Sequence, residues 1–328
     1  MTKNSVQLLI CSACILTAAL LTNTYNAFAK TKTDKPGDSN TPILKPLTSE
    51  PNLTPASNIS KETNQNYDPN SWPATAFIDK FDELLNTYVQ NDGTVNYNKL
   101  RRKRLQLIHL GLQMNNLDRQ VYDNWPKNDK LAFWINAYNI QMISIIIDNY
   151  PIQSNRVLRV FWGPKSLRHI LRQRNIWTEY KFFIMNEEFT LREIETRFFR
   201  QEFNAPEAFF GISLASNGAP SLLNKAYYGY KLEKQLKEQT RIFLTSDKAF
   251  KIDSVKKEVY LSAIFESSWY GDAFIKKFGT DRRFKSQSPA TRAVLNLIYD
   301  YLSPKQQRFL ENEVYIVKFI NYDWTLND

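Results

Sequence analysis

Residues 129–149 carry apolar side chains on nearly every face of a helix-length segment. Leu131, Trp134, Ile135, Tyr138, Met142 and Ile145 form one stripe, and Phe133, Ile140, Ile143 and Ile147 cover most of the rest. The periodicity predicts a helix, and a helix that is apolar all round has to be surrounded by other structure. The rest of the chain must therefore wrap a core around this rod. Two amides, Asn136 and Asn139, interrupt it three residues apart. A buried amide without partners is costly, so both need hydrogen bonds. They either face a polar cleft or tie neighbouring loops to the helix, and the tie is the preferred reading.

Material for the wrapping lies at residues 72–328, which hold all seven tryptophans and nearly all Phe and Tyr. Spacing predicts an amphipathic helix at 74–89, a basic helix at 100–112 and a helix at 232–244. Thr190, with Glu193 three residues on, predicts a capping box. Ser288-Pro289 and Ser303-Pro304 predict two further helix starts. Residues 181–185 and 188–189 read as a hairpin around Asn186-Glu187, and 250–253 with 258–261 as a second. Residues 209–214 read as a buried strand and 314–320 as a late strand. Strands in local pairs predict α+β, a helix-rich single domain with a small, mostly antiparallel sheet.

The N-terminal region is of another kind. Residues 8–21 are an apolar run, and Ala27-Phe28-Ala29 is a small-x-small cleavage site, so residues 1–29 read as a signal peptide. Residues 30–71 hold six of the fourteen prolines and one aromatic, Tyr67, and read as a disordered linker. Export to the periplasm or beyond is expected, with no transmembrane span left after cleavage. Cleavage would also remove Cys11 and Cys14, leaving a mature chain without a thiol.

Scarcity limits the chemistry. Two cysteines and two histidines, His109 and His169, nearly exclude a His/Cys metal site, and no cofactor is expected. Both histidines lie in basic sequence expected to be exposed helix. Glu195, between Ile194 and Phe198-Phe199, reads as a partly buried acid or base, or as the ion-pair partner of Arg200, with the ion pair preferred. Glu193 and Arg197 are spaced as a surface pair. Ser216 lies in a run of small residues suited to exposing a nucleophile, which would need a base in reach. Asp272, Asp323 and Glu266 could supply paired carboxylates.

The formal net charge is +10, with 43 basic residues against 33 acidic. Arg101, Arg102 and Arg104 form one basic cluster, and Arg168 and Arg172 belong to a second. Such a surface attracts polyanions. For an exported protein the expected partner is an anionic envelope component or a protein rather than nucleic acid.

The stretch Phe133-Trp134-Ile135-Asn136-Ala137-Tyr138-Asn139 resembles the signature of the domain-of-unknown-function 547 family. Leu191-x-x-Ile194-Glu195 with Arg200, the run ending at Pro220, Leu261-Ser262, Trp269-Tyr270 with Asp272, and Tyr322-Asp323-Trp324-Thr325-Leu326-Asn327 extend the likeness from about residue 129 to the C-terminus. The resemblance implies a fold similar to thiol hydrolases of the papain or transglutaminase kind. It also implies histidines where Thr196 and Phe209 stand, and cysteines where Leu214 and Ala219 stand. None of these four side chains can act as a thiolate or an imidazole base. The expected function is a non-catalytic, degenerate hydrolase-like binding module of the cell envelope. The alternative is a hydrolase using carboxylate or serine chemistry in the same cleft. Asn136, Asn139, Glu195, Arg200, Ser216 and Asp272 are the candidate cleft residues.

Overall fold

The apolar segment folds as expected, as the 22-residue helix α3 (Lys127–Asp148). It has no Gly or Pro, and Pro126 stands at its N-cap position. Its length and composition would suit a membrane span, yet it is largely buried inside the molecule, as the core rod of a folded domain. In this computed structural model residues 75–152, 156–163, 165–266 and 271–328 are described. The expected signal peptide and linker, and the Trp269-Tyr270 pair, lie outside them.

Helix α1 (Thr75–Tyr88) and helix α2 (Arg104–Asn115) pack with α3. Residues 100–112 are not one helix. A turn of helix at Tyr97–Leu100 and a 3-10 turn at Arg101–Lys103 precede α2. Asn96 caps the first turn through Lys99 N–H, starting the chain three residues early. After α3 come the two-turn helix α4 (Arg156–Trp162) and a short turn at Arg168–Leu171.

The first hairpin pairs β1 (Phe182–Ile184) with β2 (Glu187–Phe189). Its turn falls at Met185 and Asn186, both at positive φ, one residue before the expected position. Helix α5 (Leu191–Ile194) starts from the Thr190–Glu193 capping box and passes directly into a π-helix, Glu195–Glu202.

The expected strand at 209–214 is absent. Helix α6 (Ala208–Gly211) takes its place, and the chain becomes extended only from Ile212. All four α6 residues are buried, so periodicity could not separate a buried helical turn from a buried strand. Helix α7 (Leu232–Leu244) has the expected bounds. Strands β3 (Phe250–Asp253) and β4 (Glu258–Ser262) are antiparallel. Helices α8 (Gly271–Phe278), α9 (Pro289–Tyr299) and α10 (Pro304–Asn312) follow, and Ser288 and Ser303 cap the last two. Strand β5 (Ile316–Ile320) then joins β4 in parallel. The fold is α+β and helix-rich, with one two-stranded and one three-stranded sheet.

The last residues thread between three loops. Asn217 N–H and Gly218 N–H donate to Thr325 and Asp323 carbonyls, at 2.9 Å each. Leu167 N–H donates to Trp324 O, and Val95 N–H to Asn327 O. The tail thus joins segments more than 100 residues apart.

Candidate functional site

Asn136 and Asn139 belong to the scaffold. Asn136 donates from Nδ2 to Tyr227 O at 2.8 Å and accepts at Oδ1 from Tyr227 N–H at 2.9 Å. Asn139 donates to Gly211 O at 3.0 Å and accepts from Ser213 N–H at 2.7 Å. Each amide gives a loop what a neighbouring strand would give it, one donor and one acceptor. This is the loop tie, not a polar cleft.

Glu195 stands where α5 becomes the π-helix, fully buried. Its Oε1 accepts from Tyr138 OH at 3.0 Å and its Oε2 from Arg192 Nη1 at 2.6 Å. Trp177 Nε1 donates to the same phenol oxygen at 3.2 Å. Burial, then the Glu195 charge, holds the Tyr138 phenol well above its ordinary pKa, so it remains a protonated donor. Glu195 forms an ion pair with Arg192, and Arg200, the expected partner, lies close enough to feel its charge.

Arg200 lies on the π-helix with its guanidinium 5.0 Å from the Phe209 ring centroid. It packs so closely on Gly271 that a Cβ there would stand 2.1 Å from Nη1. Burial lowers the Arg200 pKa, while the charges of Glu195 and Asp272 act against that shift. Glu195, Arg200 and Asp272 therefore form one cluster with Arg192. It alternates in sign, which suits mutual neutralisation more than proton transfer.

The other carboxylates lie elsewhere. Asp323 Oδ1 accepts from Thr325 N–H, and its backbone carbonyl from Gly218. Glu193 is held by the cap on Thr190, and Arg197 pairs with Glu187 instead. Among the described residues, no group of three His, Cys, Asp or Glu side chains is placed to hold a metal.

Ser216 is buried rather than presented at a strand end. It shares a 2.5 Å hydrogen bond with Tyr322 OH, and its backbone bridges to Leu326. Burial pushes the Tyr322 phenol up, so it is no base for the serine. His169 is also buried, against expectation: its Nε2 donates to Gly163 O at 2.7 Å and its ring packs on Trp162. Three of the four positions of the implied reactive residues are filled by core, and the fourth, Thr196, is half-buried. Phe209, Leu214 and Ala219 are buried, and Phe209 is the ring beneath Arg200.

One pairing escaped the sequence reading. Lys248 Nζ donates to Ser221 Oγ at 3.2 Å. Burial lowers the Lys248 pKa, opposed by the charges of Asp323 and Asp92. The two residues are 27 apart, between separate elements, and no spacing rule links them.

The two basic clusters meet in space. Arg101 Nη1 donates to Tyr150 O at 3.1 Å, and Arg104 pairs with Asp148 at 2.8 Å. Tyr150 OH and Lys165 Nζ both donate to Asp328 Oδ2, at 3.0 and 2.8 Å. Arg168 lies 5.5 Å from the Trp324 ring centroid, and Arg172 is exposed.

Residues 122–244 match the family model described as Protein of unknown function, DUF547. The chain resembles that family. The DUF547 match takes in α3, the Glu195 cluster up to Arg200, Ser216 and all four substituted positions. It stops at Leu244, so Asp272 and the C-terminal tail lie beyond it, and the likeness is shorter than the motifs suggested. No curated protein and no solved structure matches the chain.

Proposed function

We propose that this is an exported, non-catalytic module that binds an anionic component of the cell envelope. The observation that carries this reading is the filling of the would-be reactive positions. Phe209, Leu214 and Ala219 are core residues, Glu195 is held by Tyr138 and Arg192, and both amides are committed to backbone. What remains available on the surface is charge, gathered from two clusters around Tyr150.

Binding of polyphosphate by the protein as recovered from its host tests the reading. Affinity should fall steeply from low to physiological salt, since exposed charges are screened within about 10 Å at 0.1 M. Reversing Arg101, Arg102 and Arg104 to Glu should weaken it further. Salt-independent binding that ignores the reversal would overturn the reading. Export is tested by N-terminal sequencing of the same material, which should begin near Lys30; retention of Met1 or Cys14 counts against it.

The Lys248–Ser221 hydrogen bond supports a second reading, a serine hydrolase. A neutral Lys248 amine would take the Ser221 hydroxyl proton as Oγ attacks an acyl carbon, then return it to the leaving group. Turnover of an ester and peptide panel, lost in both Ser221→Ala and Lys248→Met and insensitive to iodoacetamide, would favour it over the first. Absence of turnover leaves the binding module.

A further inference from the structure

Helix α4 exposes apolar side chains beside the same cations. Val160 is 82% exposed, Val157 66% and Phe161 65%. The helix is not a loose appendage. Trp162 at its end packs against His169, the ring centroids 5.4 Å apart and the planes tilted by 57°, and buried His169 bonds the Gly163 carbonyl that follows the helix. The apolar tip is therefore carried on a fixed base.

The sequence around it is cationic, with Asp148 and Asp328 paired to Arg104 and Lys165 nearby. From residue 149 to 178 the chain has six cationic side chains, among them Arg156 and Arg159 on α4 itself, and no Asp or Glu. Arg101 reaches the start of this stretch at Tyr150, which brings Arg102 and Lys103 to its edge. Isolated exposed apolar residues are ordinary, but three on one two-turn helix that also carries exposed Arg156 and Arg159 form an amphipathic surface.

We infer that the α4 face docks on a lipid bilayer rich in anionic headgroups, with Val160 and Phe161 entering the acyl boundary. This rests on the proposed binding of an anionic component and names it. A soluble polyanion would meet the cations but leave the apolar tip in water. A bilayer satisfies both, because apolar side chains gain the acyl region while arginines stay at headgroup depth. Trp162, half-buried at the helix end, lies where an aromatic ring suits the interface. A two-turn helix reaches only shallowly, so charge and apolar insertion must act together.

Flotation with vesicles tests this on the protein as recovered from its host. One set is phosphatidylcholine alone, and the other carries phosphatidylglycerol at about 1:3. Wild type should float with the anionic vesicles and stay behind with the neutral ones. Val160→Asp/Phe161→Asp and, separately, Arg156→Glu/Arg159→Glu should each lower vesicle affinity by about tenfold or more. A neutral pair, Val160→Ser/Phe161→Ser, should lose vesicle affinity while leaving polyphosphate binding unchanged, and circular dichroism should report unaltered helix content. Equal flotation on neutral vesicles, or no loss in the aspartate or the serine pair, overturns the inference. Polyphosphate binding without vesicle binding also overturns it while the module reading stands. Binding to neither removes both.

Discussion

Asn139 uses both ends of its side chain on the backbone at the end of α6, at Gly211 and Ser213. Replacing it with leucine keeps the volume but leaves the Gly211 carbonyl and Ser213 N–H without partners. At about 1–3 kcal/mol for each unsatisfied buried group, Asn139→Leu should cost roughly 2–5 kcal/mol in urea unfolding. A loss below about 1 kcal/mol would mean that water replaces the amide. Asp129 gives a second prediction at this scale. It lies in the first turn of α3, where burial raises its pKa and a hydrogen bond from Gly229 N–H acts the other way. With the folded value above the unfolded one, the native state holds more proton between them. Stability is then greatest below the unfolded value and falls as pH rises through the window above about 3.9. Asp129→Asn should remove that fall, so wild type and variant should diverge between pH 3 and 7 with wild type losing ground. Parallel curves would contradict it. At the level of single residues, the need of Asn136 and Asn139 for partners was legible in the sequence, because an amide in an apolar helix has to be satisfied. Which loops would satisfy them was not. Tyr227 lies 91 residues from Asn136, and no local pattern spans that separation.

Among elements, α3 supplies the test of burial. Trp134 is fully buried, stacks on Phe198 with centroids 3.5 Å apart, and donates from Nε1 to Tyr122 OH at 2.7 Å. Trp134→Ala should cost about 3–5 kcal/mol in denaturant unfolding, the range for removing a buried large aromatic. A cost under about 1 kcal/mol would place the helix at the surface, against its burial. Elements whose signals are local are legible in the sequence. The Thr190 capping box, the Ser288 and Ser303 caps and the whole of α7 depend on residues within a few positions of one another. The failures were non-local. Residues 208–211 are buried on all sides, so strand and helix look alike in sequence. The π-helix at Glu195–Glu202 has no recognised local signal either. It is nevertheless the element that carries both Glu195 and Arg200, and such widened turns are frequent at functional sites.

For the whole molecule, the C-terminal tail holds distant parts together. Asn327 accepts at Oδ1 from Tyr97 OH at 2.9 Å and donates from Nδ2 to Gly93 O at 3.0 Å, both buried bonds. Asn327→Ala strands both partners and should cost roughly 2–5 kcal/mol, with a lowered thermal midpoint as the check. An unchanged midpoint would mean the tail is an accessory. The sequence by itself determined the class of fold, the central buried helix and the absence of thiol and imidazole from the expected positions. The first two need only periods of two or 3.6, and the third needs residue identity at positions that the resemblance to the DUF547 family implies. Tertiary structure alone decided which charges meet. It set Arg192 as an ion-pair partner of Glu195 and gathered Arg200 and Asp272 around them. It sealed Ser216 against Tyr322 and put Lys248 on Ser221. It also brought Arg101 and, through Asp328, Lys165 to one tyrosine, Tyr150. Coulombic and hydrogen-bond energies depend on distance in space, and chain order constrains that distance only over a few residues.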